Sequence, residues 1–181
     1  MSWDEIWIKK GNEDTENLND LNGFDVNNLN LNSEDTVNNI IDYCKIEKKD
    51  KILEIGAGAG RLGDIFLKKN YNYYATEKSE SLVKKFKLLV NENRIKFNKT
   101  NDLPFKENSF DVVFCWSIIQ YFDTIEDFFK LFNEMKRVAT KIILLGDIYE
   151  IEENNNNKKY KYNTNKLKHL FIKKNTFKNL K

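Results

Sequence analysis

A glycine-rich segment between two acidic residues is the first candidate for ligand chemistry in this chain. The apolar run 51–55 leads directly into Gly56–Arg61, in which glycine alternates with alanine. Glycine tolerates positive φ and has no Cβ, so a ligand can approach its backbone closely, and a helix that begins there presents unpaired N–H groups. Glu54 precedes the loop, and Glu77 follows it at the distance typical of an acid that binds ribose hydroxyls. The combination predicts a site for a nucleotide-like ligand.

The loop does not by itself identify that ligand. Gly58, Gly60 and Gly63 have the spacing of the dinucleotide fingerprint, so a nicotinamide-dependent oxidoreductase is one interpretation of the segment. With 181 residues, the chain is long enough for one domain with a substantial core, but too short for a nucleotide-binding domain and a separate catalytic domain. The length therefore weakens the oxidoreductase interpretation.

The elements that must hold these residues alternate between strands and helices. The predicted strands are 51–55, 71–76, 94–97, 110–116 and 141–147, and the predicted helices begin near Ser33, Arg61, Ser79 and Thr124. Such alternation is typical of a parallel sheet with helices on both faces, in which ligands bind at the carboxyl ends of the strands. Residues 117–121 and Asp147 follow two of these strands, so we expect them to line the site.

Four motifs occur in a specific order along the chain. Residues 54–60 end the first strand, Glu77 ends the second, Asn101–Phe105 forms a loop, and Ser109–Phe114 enters the fourth strand. In this order the motifs resemble class I S-adenosylmethionine (SAM)-dependent methyltransferases of the small-molecule type, similar to methyltransferase types 11 and 25, over about residues 33–149. The resemblance implies an α/β, Rossmann-like three-layer sandwich with a mainly parallel sheet of order 3-2-1-4-5. It also implies SAM as the cofactor and S-adenosylhomocysteine (SAH) as the product.

The resemblance further implies which residues bind the cofactor. Glu54 and the amides around Gly56–Gly58 face the methionine end of SAM, and Glu77 binds the ribose hydroxyls. Asp102 takes the exocyclic amine of adenine, while the amide of Leu103 meets a ring nitrogen. The complete set predicted to bind the cofactor is Glu54, Gly56, Ala57, Gly58, Gly60, Arg61, Glu77, Lys78, Asp102, Leu103, Trp116 and Ser117.

The sequence does not identify a catalytic base. Methyl transfer requires alignment more than a nucleophilic side chain, because the cofactor carries its own activation. The candidates for a base that serves a hydroxyl acceptor are Asp147, Tyr121 and His169, which is the only histidine. The residues predicted to bind the acceptor are Trp7, Gln120, Tyr121 and Asp147. No metal site is predicted.

Three hypotheses for the activity stay open. The single proline, Pro104, rules out the Pro-Pro signature of methyltransferases that act on adenine N6 or glutamine. The remaining pattern resembles bacterial methyltransferases encoded with surface-saccharide pathways, which implies a small acceptor such as a sugar or a nucleotide-linked sugar in polysaccharide biosynthesis. The alternatives are an RNA or protein methyltransferase, which would use the lysines and aromatic residues after residue 157, and a non-catalytic SAM-binding subunit.

Three segments are expected along the chain. Residues 1–32 form an N-terminal helix and a loop that cover the site, residues 33–150 form the SAM-binding core, and residues 151–181 form a lysine-rich segment with a helix over 165–174. A complete relative has seven strands, so the sixth and seventh are expected to be missing and the sequence to be a truncated natural chain. The edge of the fifth strand would then be exposed or covered by a second copy, which predicts a monomer or a homodimer.

The composition argues against several classes of partner. The chain has 30 Lys and Arg residues against 28 Asp and Glu residues, so a net charge of +2 gives no global field that calls for nucleic acid. No apolar stretch is long enough to span a membrane and no signal peptide is visible, which predicts a cytoplasmic protein without membrane contact. Cys44 and Cys115 lie far apart and are expected to be reduced core thiols.

Overall fold

The computed structural model describes residues 2–22, 32–90, 94–98 and 102–148 with their side chains, and the backbone of residues 150–154, 157–161 and 168–173. The helices are α1 (Trp3–Gly11), α2 (Leu18–Leu21), α3 (Ser33–Cys44), α4 (Arg61–Lys68), α5 (Glu80–Leu89) and α6 (Ile125–Val138), with a 3₁₀ turn at Ile119–Tyr121. The strands are β1 (Lys51–Ile55), β2 (Asn72–Glu77), β3 (Ile95–Phe97), β4 (Phe110–Trp116), β5 (Ala139–Ile148), β6 (Glu150–Asn154), β7 (Asn157–Lys161) and β8 (Lys168–Lys173). Of the helices within these ranges, none has the length and apolar character needed to cross a membrane.

The centre of the fold is a sheet of parallel strands with one antiparallel strand at its edge. Within the described ranges, six strands form one sheet of order β3-β2-β1-β4-β5-β8. β1 pairs in parallel with β2 and β4, β2 with β3, and β4 with β5, whereas β8 is antiparallel to β5. The first five strands confirm the predicted order 3-2-1-4-5.

The predictions for the C-terminal segment are wrong in two respects. A sixth strand of the sheet exists, and the segment 151–181 contains strands where a helix is predicted, since β8 lies inside 165–174 and β6 pairs with β7 in a hairpin. β8 runs along β5 from Ile142 to Ile148, so it covers the edge that is predicted to be exposed. The apolar run Leu170–Ile172 suits a strand, and the unpaired backbone groups of β5 favour pairing over a short isolated helix. The rest of the predicted helix lies outside the described residues.

Apolar side chains fill both faces of the sheet. Ile52 of β1 belongs to the core that α3, α4 and α5 cover, together with Phe66 of α4. Its neighbour Leu53 belongs to the opposite core, together with Met135 of α6. Successive side chains of a strand point to opposite faces, so a strand buried on both sides reads as a continuous apolar run. The two cores confirm the predicted helices on both faces.

Both cysteines are buried free thiols, as predicted. Cys44 lies at the end of α3 and Cys115 lies in β4. Burial raises the pKa of each thiol to about 12. Both groups therefore stay protonated at neutral pH, and we assign them to packing and not to chemistry.

The N-terminal helix α1 crosses α5 at close range. A capping box begins α1, in which the Ser2 hydroxyl accepts from the Glu5 amide at 3.3 Å and the Glu5 carboxylate accepts from the Ser2 amide at 2.7 Å. A Cβ on Gly11 would lie 2.6 Å from the Ser81 Cβ and 2.7 Å from the Leu82 nitrogen, so only glycine allows this approach. The crossing holds α1 beside the carboxyl end of β2.

Replacing Phe66 with alanine is expected to lower the free energy of unfolding by about 3–5 kcal/mol. Phe66 is fully buried, and its ring centroid lies 5.6 Å from that of Tyr73 and 5.7 Å from that of Phe114. The matched control is Leu88→Ala, since Leu88 is 71% exposed on α5, and a change below about 0.5 kcal/mol is expected there. Urea unfolding followed by circular dichroism measures the free energy of unfolding of both variants. Equal losses of this free energy in the two variants would contradict the assignment of Phe66 to the core.

Candidate functional site

A cavity of about 440 Å³ opens at the carboxyl ends of β1, β2 and β4. Its position is the one expected for a ligand in a parallel α/β sheet, and its volume suits a small organic ligand. The predicted site residues that line it are Trp7, Glu54, Gly56, Gly58, Arg61, Glu77, Lys78, Trp116, Ser117 and Tyr121. The other lining residues are Asp4, Asn22, Ile55, Leu62, Thr76, Leu82, Asn98, Ile118, Phe122, Asp123 and Asp127.

Three glycines shape the loop after β1. The φ angle is 76° at Gly56, 59° at Gly58 and 97° at Gly60, a region that residues with a side chain rarely adopt. The amides of Gly56 and Ala57 both donate to the Thr76 carbonyl, at 2.9 and 3.1 Å, which fixes the loop to β2. Ala57 and Gly60, both predicted to bind the cofactor, therefore shape the loop without lining the cavity.

Asn22 completes this loop from the N-terminal segment. Its Nδ2 donates to the Ala57 carbonyl at 3.3 Å, and its Oδ1 accepts from the Ala59 amide at 3.1 Å. A Cβ on Gly58 would lie 2.5 Å from Nδ2 of Asn22, so the asparagine uses the space that glycine leaves. The sequence analysis missed this residue, because Asn22 followed by Gly23 signals a turn and nothing more.

Glu77, at the end of β2, joins the glycine loop to α5. Its Oε2 accepts from the Gly58 amide at 2.9 Å, and its Oε1 accepts from the Ser79 amide at 2.8 Å. Burial raises the pKa of Glu77, and the backbone amides that donate to the carboxylate oppose the rise. Each carboxylate oxygen can accept more than one hydrogen bond, so Glu77 keeps acceptor capacity for a ligand in the cavity.

Glu54 is the second buried carboxylate in the cavity wall. The Tyr73 hydroxyl donates to its Oε2 at 2.5 Å, and a Cβ on Gly63 would lie 2.8 Å from that hydroxyl. Gly63, the third glycine of the dinucleotide spacing, thus makes room for Tyr73. Burial raises the pKa of Glu54 to about 7, while the Tyr73 hydrogen bond and the charge of Arg61 act in the opposite direction.

Arg61 lies at the first turn of α4 and is buried. Its Nη1 donates to the Ser33 hydroxyl oxygen at 2.8 Å, which ties α4 to the start of α3. Because Arg61 also lines the cavity, it contributes positive charge near the glycine loop.

The ends of β4 and β5 meet in a strained pair of residues. Ser117 has a φ of 56° and Asp147 a φ of 54°, both in the left-handed region. The Ser117 hydroxyl donates to the Asp147 carboxylate, and Ser117 lines the cavity while the buried Asp147 lies behind it. A Cβ on Gly146 would lie 2.1 Å from Cε3 of Trp116, so the indole rests directly on this glycine. Strain of this kind concentrates at functional sites.

Aromatic side chains close the cavity next to the 3₁₀ turn. The Tyr121 ring centroid lies 4.6 Å from that of Trp3 and 5.3 Å from that of Trp7. Trp7 and Tyr121, both predicted to bind the acceptor, line the cavity. Gln120, also predicted to bind the acceptor, does not line the cavity. Its Nε2 donates to the Ser117 carbonyl at 2.6 Å and so stabilises the 3₁₀ turn.

The structure does not bring Asp102 and Leu103 to the cavity. The Leu103 amide donates to Oε2 of Glu134 at 2.9 Å, so this N–H is not directed at a ligand, and Asp102 is exposed. Asn98, which directly follows β3, lines the cavity instead. Asn98 could have been predicted from the rule that ligands bind at strand ends. The sequence analysis assigned adenine binding to Asp102 and Leu103 and so overlooked it. The side chain of His169 lies outside the described residues.

The free energy of unfolding of the native protein is expected to fall by on the order of 3 kcal/mol, relative to Glu54→Gln, as the pH rises from about 4.5 to 7. Because the pKa of Glu54 is raised to about 7 in the folded protein, the folded state binds more protons than the unfolded chain in this window. The stabilisation present below the unfolded pKa is therefore lost as the pH rises through the folded value. Urea unfolding at several pH values measures the difference.

The exposed Glu126 of α6 supplies the control for this measurement. Glu126→Gln should follow the pH dependence of the native protein. A difference between the native protein and Glu54→Gln that stays constant with pH would contradict the assignment of a raised pKa to Glu54.

Comparison with known proteins relates the region around this cavity to a family. Residues 53–141 match the model of a family described as "Methyltransferase domain". A curated relative from Methanocaldococcus jannaschii, an uncharacterised protein, is 33% identical over 94 residues, which cover 52% of this chain and 39% of the relative.

Solved structures show the same fold. A protein from Anabaena variabilis, assigned as a methyltransferase of an antibiotic biosynthesis pathway, is 26% identical with a TM-score of 0.56, over 65% of this chain and 46% of that one. A SAM-dependent methyltransferase from Clostridium acetobutylicum is 14% identical with a TM-score of 0.55, over 70% and 59% of the two chains. The chain thus spans about half the length of these solved structures and 39% of the curated relative.

The matched residues include the glycine loop and both buried carboxylates, Glu54 and Glu77, and they span the strands that surround the cavity. The order of the five parallel strands is the order that the resemblance implies. Residues 53–141 of the chain therefore match a methyltransferase domain, and the fold around them is the one that solved SAM-dependent methyltransferases share.

Proposed function

We propose that the protein transfers the methyl group of SAM to a small-molecule acceptor. The observation that carries the proposal is the cavity at the strand ends, which combines a glycine loop and two buried carboxylates with aromatic side chains. A methyltransferase must hold its donor and its acceptor side by side. Lining groups suited to each are present in this one cavity.

The residues around the glycine loop fit the chemistry of SAM. Gly56 and Gly58 line the cavity with positive φ, and the methionine end of SAM would lie against this backbone with its ammonium group facing Glu54. Glu77 would accept hydrogen bonds from the ribose hydroxyls. SAM, when bound, supplies a methyl group that its sulfonium already activates.

For the adenine side of the cofactor we propose Asn98 in place of the predicted Asp102 and Leu103. Asn98 lines the cavity, whereas Glu134 occupies the Leu103 amide. An asparagine amide can donate to a ring nitrogen and accept from an exocyclic amine, so Asn98 has the groups that adenine requires.

The proposed acceptor is a small molecule, such as a sugar of bacterial surface-polysaccharide synthesis, methylated in the cytoplasm. Trp7 and Tyr121 offer apolar ring surface against which a sugar ring can pack. The acids Asp4, Asp123 and Asp127 also line the cavity, and carboxylates there disfavour the phosphates of RNA. The small-molecule hypothesis is therefore better supported than the RNA alternative.

The Ser117 and Asp147 pair is the proposed route for a proton. The Ser117 hydroxyl reaches the cavity and donates to the Asp147 carboxylate. An acceptor proton could pass to the serine oxygen while the serine proton moves to the aspartate. Asp147, predicted as a candidate base, would then act through Ser117 and not by direct contact with the acceptor.

Glu77→Gln is expected to weaken SAH binding about 10- to 100-fold, measured by isothermal titration calorimetry. Both carboxylate oxygens of Glu77 accept from backbone amides, whereas a glutamine side chain has only one acceptor oxygen. The NH₂ group of the glutamine would therefore face an N–H donor and disturb the glycine loop. The control Glu80→Gln alters an exposed neighbour on α5 and should leave the affinity unchanged.

The same titrations test the proposed function itself. SAH binding by the native protein is expected, with no binding of NAD. NAD binding without SAH binding would overturn the proposal. Binding of SAH without any label transfer from labelled SAM to a metabolite extract would favour the non-catalytic subunit.

Asn22→Ala is expected to weaken SAH binding about tenfold, because it removes the two hydrogen bonds that the Asn22 side chain makes with residues 57 and 59 of the loop. The control is Asn39→Ala, at an exposed position of α3. Calorimetry at matched protein concentrations compares the two variants. Unchanged affinity in Asn22→Ala would show that the loop holds its shape without the N-terminal segment.

A further inference from the structure

The charge and aromatic character of the cavity point to the class of acceptor. Apart from the residues proposed to hold the cofactor, the lining includes the carboxylates Asp4, Asp123 and Asp127 and the rings of Trp7 and Tyr121, here called the rim. We infer that the acceptor is an amine, protonated in solution, that is methylated on nitrogen. The inference rests on the proposed function and narrows its substrate class.

The rim has an excess of negative charge. Asp4 forms an ion pair with Lys78, and Asp127 pairs with Lys130 at 2.8 Å. Asp123 is exposed and forms no ion pair with any residue in the described part of the chain. An ammonium group that enters the cavity therefore meets at least one carboxylate whose charge is not already balanced.

The described lining gives little support to an anionic acceptor. Its cationic residues are Arg61 and Lys78. Lys78 is engaged by Asp4, while Arg61 donates to Ser33 and interacts with the buried Glu54. A phosphate or carboxylate would have to displace one of these contacts and approach the rim acids as well. A nucleotide-linked sugar is thus disfavoured, and a sugar acceptor of the inferred class would be an amino sugar.

The rings of the rim add an attraction that is specific to cations. Trp7 and Tyr121 lie 5.3 Å apart between ring centroids, and both reach the cavity. The faces of such rings attract an ammonium group through their quadrupole, which improves affinity by a factor of about 2 to 30. An alcohol of the same shape gains none of this attraction, so the rim should discriminate by charge.

The chemistry balances with groups already described. The bound ammonium loses one proton through the Ser117 hydroxyl to the Asp147 carboxylate, which frees the nitrogen lone pair. A bond then forms between this nitrogen and the methyl carbon, while the bond from that carbon to sulfur breaks and its electron pair stays on sulfur. The product amine carries the positive charge that the sulfonium has lost, and Asp147 returns its proton to solvent.

Binding of three probes to the SAH-loaded protein tests the inference. Benzylamine, benzyl alcohol and benzoate share a phenyl ring and differ in charge, and quenching of tryptophan fluorescence reports their binding, since Trp7 and Trp116 line the cavity. We expect benzylamine to bind about tenfold more tightly than benzyl alcohol, and benzoate to bind most weakly. Equal affinities, a preference for benzoate, or no binding of benzylamine would overturn the inference.

Substitutions of the rim acids test whether these residues cause the preference for benzylamine. Asp123→Asn, combined with Asp127→Asn, should reduce the preference for benzylamine about threefold or more, whereas Glu126→Gln on α6 should not change it. Asp123→Asn alone serves if the double variant unfolds, because Asp127 also accepts from Thr124 at the start of α6. A preference that survives in a folded Asp123→Asn variant would contradict the role of the rim.

A second measurement separates this inference from the proposed function. With labelled SAM and a metabolite extract, we expect label in products that a cation-exchange resin retains at neutral pH. Label found in neutral or anionic products alone would overturn the inference and leave methyl transfer intact. A protein that binds no SAH would instead refute the proposed function.

Discussion

The carboxylate of Glu77 is the constraint on which the rest of the site depends. By accepting from the amides of Gly58 and Ser79, it holds the glycine loop and the start of α5 in a fixed relation to the end of β2. A buried carboxylate is costly unless hydrogen bonds compensate it, so the two amides are as necessary to Glu77 as Glu77 is to them. The shape of the cavity follows from this mutual requirement, because all three elements contribute to its wall.

The parallel part of the sheet and the glycine loop could be predicted because their determinants are local. β1 and β4 are mostly buried on both faces, so each reads as a mainly apolar run despite Glu54 in β1 and Asp111 in β4. The loop needs positive φ at Gly56, Gly58 and Gly60, and the sequence displays that requirement directly. Residues that follow such strands, including Ser117 and Tyr121, reach the cavity by the same rule.

The features that sequence reasoning missed depend on partners far along the chain. Leu103 turns away from the cavity because Glu134 of α6 captures its amide. Asn22 reaches the loop only because α1 and α2 fold back over it. β8 is a strand because the edge of β5 is available, whereas its lysine-rich surroundings read as helical when taken alone. Each of these features is set by a contact between residues distant in the sequence, which local sequence preferences do not reveal.

β8 follows the five parallel strands in the chain, so the edge strand β5 is synthesised before the strand that pairs with it. The five parallel strands leave the ribosome before β8, so for a time β5 presents a row of unpaired N–H and C=O groups along its edge. Such an edge can pair with the same strand of another nascent chain and start aggregation. The edge of β5 is therefore covered late in synthesis, when β8 pairs with it.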